Sequence, residues 1–259
     1  MTNKNLTGLV ALVTGATQGI GRAIAIRLAQ EGCKVAVNGR FAGDKIDRVV
    51  AETSGMAAVA DINKPKEVAE MVKAVSEQLG PIEILIANAA QMTMSPILKQ
   101  DPAEWWKQIN VNLTGHIDCI HNVLPNMKDR RRGKIVIISS NFGVIGWANA
   151  TGYAASKSGL NALGCYFASE LADYGININI IAPGVIDTPQ LQVDADDLNM
   201  SLEEVHDYYA KSIPMGRIGR AEEVAGTVAF LAGRGGQYLS GRLIQINGGE
   251  TRCSSFSYL

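Results

Sequence analysis

The chain has 259 residues, 24 Lys plus Arg against 25 Asp plus Glu, and a formal charge of −1. Hydrophobic residues make up 47% and charged residues only 19%, below the roughly 25% charge usual in soluble domains. That balance excludes a disordered chain or a nucleic-acid-coating protein, which need excess or basic charge, and it leaves ample chain for a large buried core.

In chain order, residues 9–14 read as a strand and 20–30 as an amphipathic helix, with Gly32 just past its end as a C-cap. Strands follow at 34–38, 56–60, 82–87, 133–139, 176–181 and 242–246. Helical patterns separate them at 64–79, 102–127, 152–174 and 221–232, and Asp44 reads as the cap of a further helix. Strands apolar on both faces that alternate with helices indicate a parallel sheet covered on both sides. No Pro/Gly/Ser linker divides the chain. The expectation is one doubly wound α/β domain over 1–259 with a seven-stranded parallel sheet, an insertion at 188–217 and a tail at 250–259.

The longest uncharged run, 135–156, contains Ser139, Ser140, Asn141, Asn149 and Thr151, so it reads as strand, loop and helix start rather than a membrane span. Four cysteines at 33, 119, 165 and 253 form no CxxC, which suits reduced thiols and a cytoplasmic protein. His116 and His121 do not share a helix face, so no metal site is expected.

The first strand runs into Thr14-Gly15-Ala16-Thr17-Gln18-Gly19-Ile20-Gly21. Gly15 permits a tight exit, Gly19 lets a diphosphate approach the backbone, and Gly21 lets helix and strand pack closely. The following helix N-terminus would face the phosphates, so a dinucleotide site is expected here. At the end of the second strand a 2′-hydroxyl wants a carboxylate and a 2′-phosphate an arginine. Asn38-Gly39-Arg40-Phe41 carries the arginine and no acid, which favours NADP(H) over NAD(H).

Tyr153 and Lys157 lie four apart at the start of a helix and share a face. An ammonium one turn away is expected to favour tyrosinate over phenol, whose unperturbed pKa is about 10. Ser140 ends a buried strand, where its hydroxyl could steady a substrate oxygen.

With these residues in hand the chain resembles the short-chain dehydrogenase/reductase family over essentially its whole length. The glycine turn matches that family's TGxxxGxG, and Ser140, Tyr153 and Lys157 match its serine and YxxxK. Asn112, in Asn110-Val-Asn112-Leu-Thr-Gly115, matches the asparagine that completes the family tetrad, kinking a helix and holding a water that links the lysine to solvent. Asn88-Ala-Ala resembles the family's NAG element, with Ala90 in place of the glycine. Asp61, with Ile62 after it, matches the acid that meets the adenine; Pro183, Gly184, Ile186 and Thr188 fall in PGxxxT, which meets the nicotinamide carboxamide. Residues 217–249 resemble the last helix and strand. The resemblance implies a Rossmann domain, reversible reduction of a ketone to a secondary alcohol with Tyr153 as acid/base, and a homotetramer.

Asn141, Phe142, Trp147 and Asn149, between serine and tyrosine, are expected to line the substrate pocket. Leu191, Tyr208 and Tyr209 lie in the insertion, which resembles a substrate lid, and the aromatics there serve equally well as the lid's own core. Ser201 to Glu204 has the capping-box pattern. Between Thr188 and Lys211 stand six acids and one lysine, a poor match for a polyanionic acyl carrier. Arg131 falls at one basic position of the family's carrier-protein reductases, and Tyr174 occupies the other. The substrate expected is a small neutral ketone or secondary alcohol, aromatic or cyclic, with no nucleic-acid or membrane partner. The alternatives are a 3-oxoacyl-carrier-protein reductase, a non-catalytic dinucleotide sensor and a structural subunit. Phe256, Tyr258 and Leu259 are expected to pack across a neighbouring subunit.

Overall fold

The protein is described from a computed structural model covering residues 6–250. Its strands are β1 (Val10–Val13), β2 (Lys34–Gly39), β3 (Met56–Val59), β4 (Ile82–Ala87), β5 (Gly133–Ile138), β6 (Ile176–Pro183), β7 (Ile186–Asp187), β8 (Gly219–Arg220) and β9 (Leu243–Ile246). The helices are α1 (Gly19–Gln30), α2 (Asp44–Thr53), α3 (Pro65–Leu79), α4 (Pro102–Ile109), α5 (Gly115–Asp129), α6 (Phe142–Ile145), α7 (Thr151–Leu171), α8 (Gln190–Leu198), α9 (Leu202–Ala210) and α10 (Ala221–Ala232). Seven strands form one parallel sheet in the order β3-β2-β1-β4-β5-β6-β9, and β7 pairs with β8 beside it.

Side chains of a strand point alternately to its two faces, and here both faces are buried. Ala11 and Val13 of β1 pack with Ile24, Leu28, Val224 and Val228 from α1 and α10. Val10 and Leu12 pack with Val72, Val75, Ile120 and Val123 from α3 and α5. Each Val, Leu or Ile among them contributes roughly 1.5–3 kcal/mol by leaving water, and the uninterrupted apolar runs in the sequence follow from this double cover. The strand order reverses between β1 and β4, so their connections leave on opposite sides and open a crevice at the strands' carboxyl ends.

The structure corrects the sequence reading at several elements. The single helix expected at 102–127 is broken by a π turn at Asn110–Thr114, where the Gly115 N–H reaches back to the Asn110 carbonyl. One extra residue rotates the apolar face only once, a change of phase that a single short break does not separate from one continuous helix. Asp44 is not the cap of α2: Gly43 holds that position at φ +127°, and Asp44 is the first helical residue, where its charge suits the helix dipole. Gly32 does lie just past α1, at φ +95°. In the 188–217 segment α8 and α9 pack on each other through Leu191, Ala195 and Val205, and the Ser201/Glu204 capping box is formed. The tail residues Phe256, Tyr258 and Leu259 lie outside the described residues. No described helix is long and apolar enough to cross a membrane.

Candidate active site

A cleft of about 860 Å³ opens at the carboxyl ends of the strands. The glycine turn forms its floor, and the three glycines meet different constraints. A Cβ on Gly15 (φ +61°) would stand 2.7 Å from the Ala89 Cα, and one on Gly21 2.3 Å from the Gly15 carbonyl oxygen. Gly19 (φ +54°) meets only Thr188 and Pro189, at 3.4 Å and beyond. The first and third glycines therefore hold turn and helix together, while the second leaves the backbone open to a ligand. The α1 N-terminus has no acid in its first turn and no side-chain cap from Gln18, which leaves its positive end to an anion.

Asn88 locks this turn from β4: its Nδ2 donates to the carbonyls of Thr14 (2.9 Å) and Gly15 (3.1 Å), and its N–H donates to the Thr14 hydroxyl at 2.9 Å. Ala90, which replaces the family glycine, is exposed, so its methyl group finds room. Asn38, which sequence reasoning passed over, holds the turn from β2. Its Oδ1 accepts from the Gly15 N–H at 3.2 Å, while its Nδ2 donates to Ala58 O (2.8 Å) and Ala60 O (3.1 Å). The available signal was an amide ending an otherwise apolar strand.

Beyond Asn38 the wall is cationic. Arg40 is exposed with its guanidinium 4.6 Å from the Phe41 ring centroid, and Lys45, also unforeseen, joins it in lining the cleft, with Asp44 alongside. Asp61 and Ile62 close this end, Asp61 accepting from the Asn63 N–H at 3.0 Å.

At the other end Ser140, Tyr153 and Lys157 line the same cleft. The Ser140 hydroxyl accepts from the Phe142 N–H at 3.1 Å and lies beside the Tyr153 phenol, whose acidity it favours. Lys157 is 1% exposed; its Nζ donates to Ile138 O at 2.8 Å and stands 5.5 Å from the Tyr153 ring centroid. Asn112 is buried in the π turn, accepting from the Gln91 N–H and donating to the Gln91 carbonyl, both at 2.8 Å, and donating to the Ser156 hydroxyl at 3.1 Å.

The electrostatics reverse one expectation. Burial pushes the Tyr153 phenol up to about 12, opposed only by the Ser140 hydroxyl, and pushes Lys157 down to about 7. The protein's own groups thus keep the phenol protonated. Desolvation outweighs the neighbouring ammonium here because burial penalises the charged form of both groups.

Most of the remaining expected cofactor residues also line the cleft: Thr17, Gln18, Ile20, Pro183, Gly184 and Thr188, with Gln91, Lys107 and Val193 in addition. Ile186 does not, because its side chain is buried in the core beside α10. Of the expected substrate residues, Phe142 sits against Tyr153 and Trp147 stacks on Phe142, though neither is among the residues that line the cleft. Their rings stack at 4.8 Å and 6°, and Phe142 meets Tyr153 edge-on at 6.1 Å. The others point elsewhere. Asn141 is buried and spends its amide on Glu250. Asn149 is an exposed turn residue at φ +63° whose carbonyl accepts from Ser95. Leu191 belongs to the α8–α9 core. Tyr208 is exposed and packs on Tyr209, whose hydroxyl donates to Asp194 at 3.1 Å.

A family model described as enoyl-(acyl carrier protein) reductase matches residues 15–251. The 3-oxoacyl-[acyl-carrier-protein] reductase FabG of Staphylococcus epidermidis is 38% identical over 244 residues, covering 92% of this chain and 97% of the relative. The enzyme of the same name from Thermotoga maritima is 34% identical over 249 residues, covering 94% and 98%. The crystal structure of levodione reductase superposes with a TM-score of 0.90 at 32% identity, covering 94% of this chain and 98% of that one.

Proposed function

This chain belongs to the short-chain dehydrogenase/reductase family, and from that premise we propose that it is an NADP(H)-dependent oxidoreductase interconverting a small ketone and its secondary alcohol. The observation that carries the reading is the meeting of Ser140, Tyr153 and Lys157 with the glycine turn in one cleft.

A nicotinamide dinucleotide fits the residues present. The open backbone at Gly19 lies where a side chain would block a diphosphate, at the positive end of α1. When bound, that group supplies or accepts the hydride. Arg40 and Lys45, where the family's NAD enzymes would need a carboxylate, suit a 2′-phosphate. The Tyr153 hydroxyl donates its proton to the carbonyl oxygen as that oxygen becomes an alkoxide, and a pKa near 12 keeps the proton in place until then. The Ser140 hydroxyl, held by the Phe142 N–H, steadies the same oxygen. Lys157, fixed on Ile138 O, keeps its remaining N–H groups for the phenol side and the ribose. Asn112 holds the π turn that backs the lysine. The stacked Phe142–Trp147 pair, with Phe142 edge-on to Tyr153, makes the surroundings of the phenol apolar, which favours a cyclic or aromatic ketone. A homotetramer and a cytoplasmic location belong to the same proposal. Exposed Trp106 on α4 and Tyr166 on α7 support self-association.

A second reading, a 3-oxoacyl-carrier-protein reductase, is favoured by the names of the relatives. Against it, the Arg131 guanidinium donates to Asp173 O at 2.6 Å, and Tyr174 lies under the Lys128 ammonium instead of adding a cation.

The test is a panel of cyclic, aromatic and open-chain ketones plus a 3-oxoacyl thioester, run with NADPH and then NADH on the wild type and Tyr153→Phe. Turnover of small ketones with NADPH, reduced at least ~100-fold in the variant, is the expected result. Preference for the thioester selects the second reading. Inactivity throughout returns the protein to a sensing or structural role.

A further inference from the structure

A second cavity, of about 450 Å³, opens at the amino ends of β4, β5 and β6 beside the end of α10. The catalytic cleft lies at the carboxyl ends of the same strands, and the two share no lining residue. The charge of the second cavity is unbalanced. Arg132, Lys134 and Arg234 line it against one acid among the described residues, Glu83. That acid is already engaged. Glu83 is 8% exposed, its Oε2 accepts from the Val10 N–H at 3.2 Å, and its Oε1 stands 3.5 Å from Arg132 and 3.8 Å from Arg130. Lys134 and Arg234 meet no carboxylate within ion-pair distance among the described residues. Lys134 donates to the Asn177 side-chain oxygen instead. Burial first, and then the Arg132 charge, push this half-buried ammonium below its ordinary range. Two cations held close in partial burial oppose one another, and an anion between them removes the conflict.

We propose that this cavity is a binding site for a phosphate dianion, free or as the phosphoryl end of a small organic ester, held by Arg132, Lys134 and Arg234. Three cations against one carboxylate leave two positive charges in the lining, the complement of a dianion. Each guanidinium presents a planar fork of N–H donors to phosphate oxygens, and the ammonium adds a compact point charge. Asn177 braces the arrangement. Its Oδ1 holds the Lys134 ammonium, while its Nδ2 donates to Gln237 O and Leu239 O, both at 3.2 Å, in the segment that follows Arg234. Leu9 and Ile84 give the wall an apolar stretch where the carbon part of an ester would lie. A ligand here joins the starts of β4, β5 and β6 to the segment after α10, so it stabilises the folded chain by mass action.

The experiment measures the affinity of the full chain for inorganic phosphate and for phenyl phosphate by titration calorimetry. Wild type, Lys134→Gln, Arg234→Gln and Arg40→Ala are compared, the last because the catalytic cleft also attracts phosphate. The wild type should bind with a millimolar or tighter dissociation constant. Affinity should fall about tenfold or more in Lys134→Gln and in Arg234→Gln, the scale of a lost charge-assisted bond, and stay within about twofold in Arg40→Ala. Arg234 is exposed, so its replacement tests the site even where Lys134→Gln fails to fold. Equal affinity for the two probes assigns the site to free phosphate, and tighter binding of phenyl phosphate assigns it to an ester. No binding by the wild type, unchanged affinity in Arg234→Gln, or a loss confined to Arg40→Ala overturns the proposal. Ketone turnover is not read in this test, so its failure leaves the proposed reaction standing.

Discussion

Tyr153 and Lys157 show how burial sets acid–base character before any partner does. Desolvation raises the phenol and lowers the ammonium, so at neutral pH the pair stands as phenol with a lysine poised near its titration point. That is the protonation state a carbonyl reductase needs, and the reverse of what charge proximity alone suggests. At the opposite end of the cleft Arg40 has no acidic partner among the described residues and rests on Phe41. Its removal, in Arg40→Ala, should weaken NADPH binding by roughly 10- to 100-fold and leave NADH within about twofold, since a charge-assisted bond to a phosphate is worth roughly 1.5–3 kcal/mol. Dissociation constants for both nucleotides check this, and equal losses would remove the 2′-phosphate role from Arg40.

Among the elements, the π turn and α9 illustrate two kinds of legibility. The Ser201/Glu204 box was readable because a cap is a local contract between residues three apart: the Ser201 hydroxyl accepts from the Glu204 N–H at 3.2 Å, and the Glu204 carboxylate accepts from the Ser201 N–H at 2.7 Å. Those bonds hold the Glu204 carboxyl below its usual range. Ser201→Ala should raise amide exchange in the first turn of α9 by roughly fivefold, the scale of a lost cap, which hydrogen-exchange mass spectrometry would register. An unchanged rate would mean that the Leu191–Ala195–Val205 contacts alone hold the segment. The π turn was not readable from periodicity, and only the family pattern pointed to Asn112. Its cause is remote in sequence: Asn112 bonds the backbone of Gln91, and Gly115 passes so close to Ile62 that a Cβ would stand 2.6 Å from its carbonyl oxygen.

For the molecule as a whole, neutral His116, wholly buried on α5, ties stability to pH. Its folded pKa of about 3 lies below the ordinary 6.5, so the unfolded chain binds the extra proton first. The stability conferred by burying a neutral ring is complete above about pH 6.5 and is lost as pH falls toward 3. At full loss this is on the order of 4 kcal/mol, a large share of the 5–15 kcal/mol of a typical domain. Urea unfolding at pH 7.5, 6 and 5 should show a declining midpoint in the wild type and a flatter trend in His116→Val. Parallel declines would place the acid-sensitive group elsewhere.

Much of this protein could be read from its residues in order. The double-faced strands, the glycine turn, the position of Arg40 and the serine–tyrosine–lysine spacing are patterns of neighbours, and helix and strand periodicity carries them directly. What the chain order could not carry were contacts between distant segments. Asn38 reaching Gly15, Asn141 turned away onto Glu250, Leu191 sunk into a small core and His116 wholly buried all depend on which elements pack together. The tertiary structure alone decided those, and with them the pKa values, because desolvation is a property of everything surrounding a group.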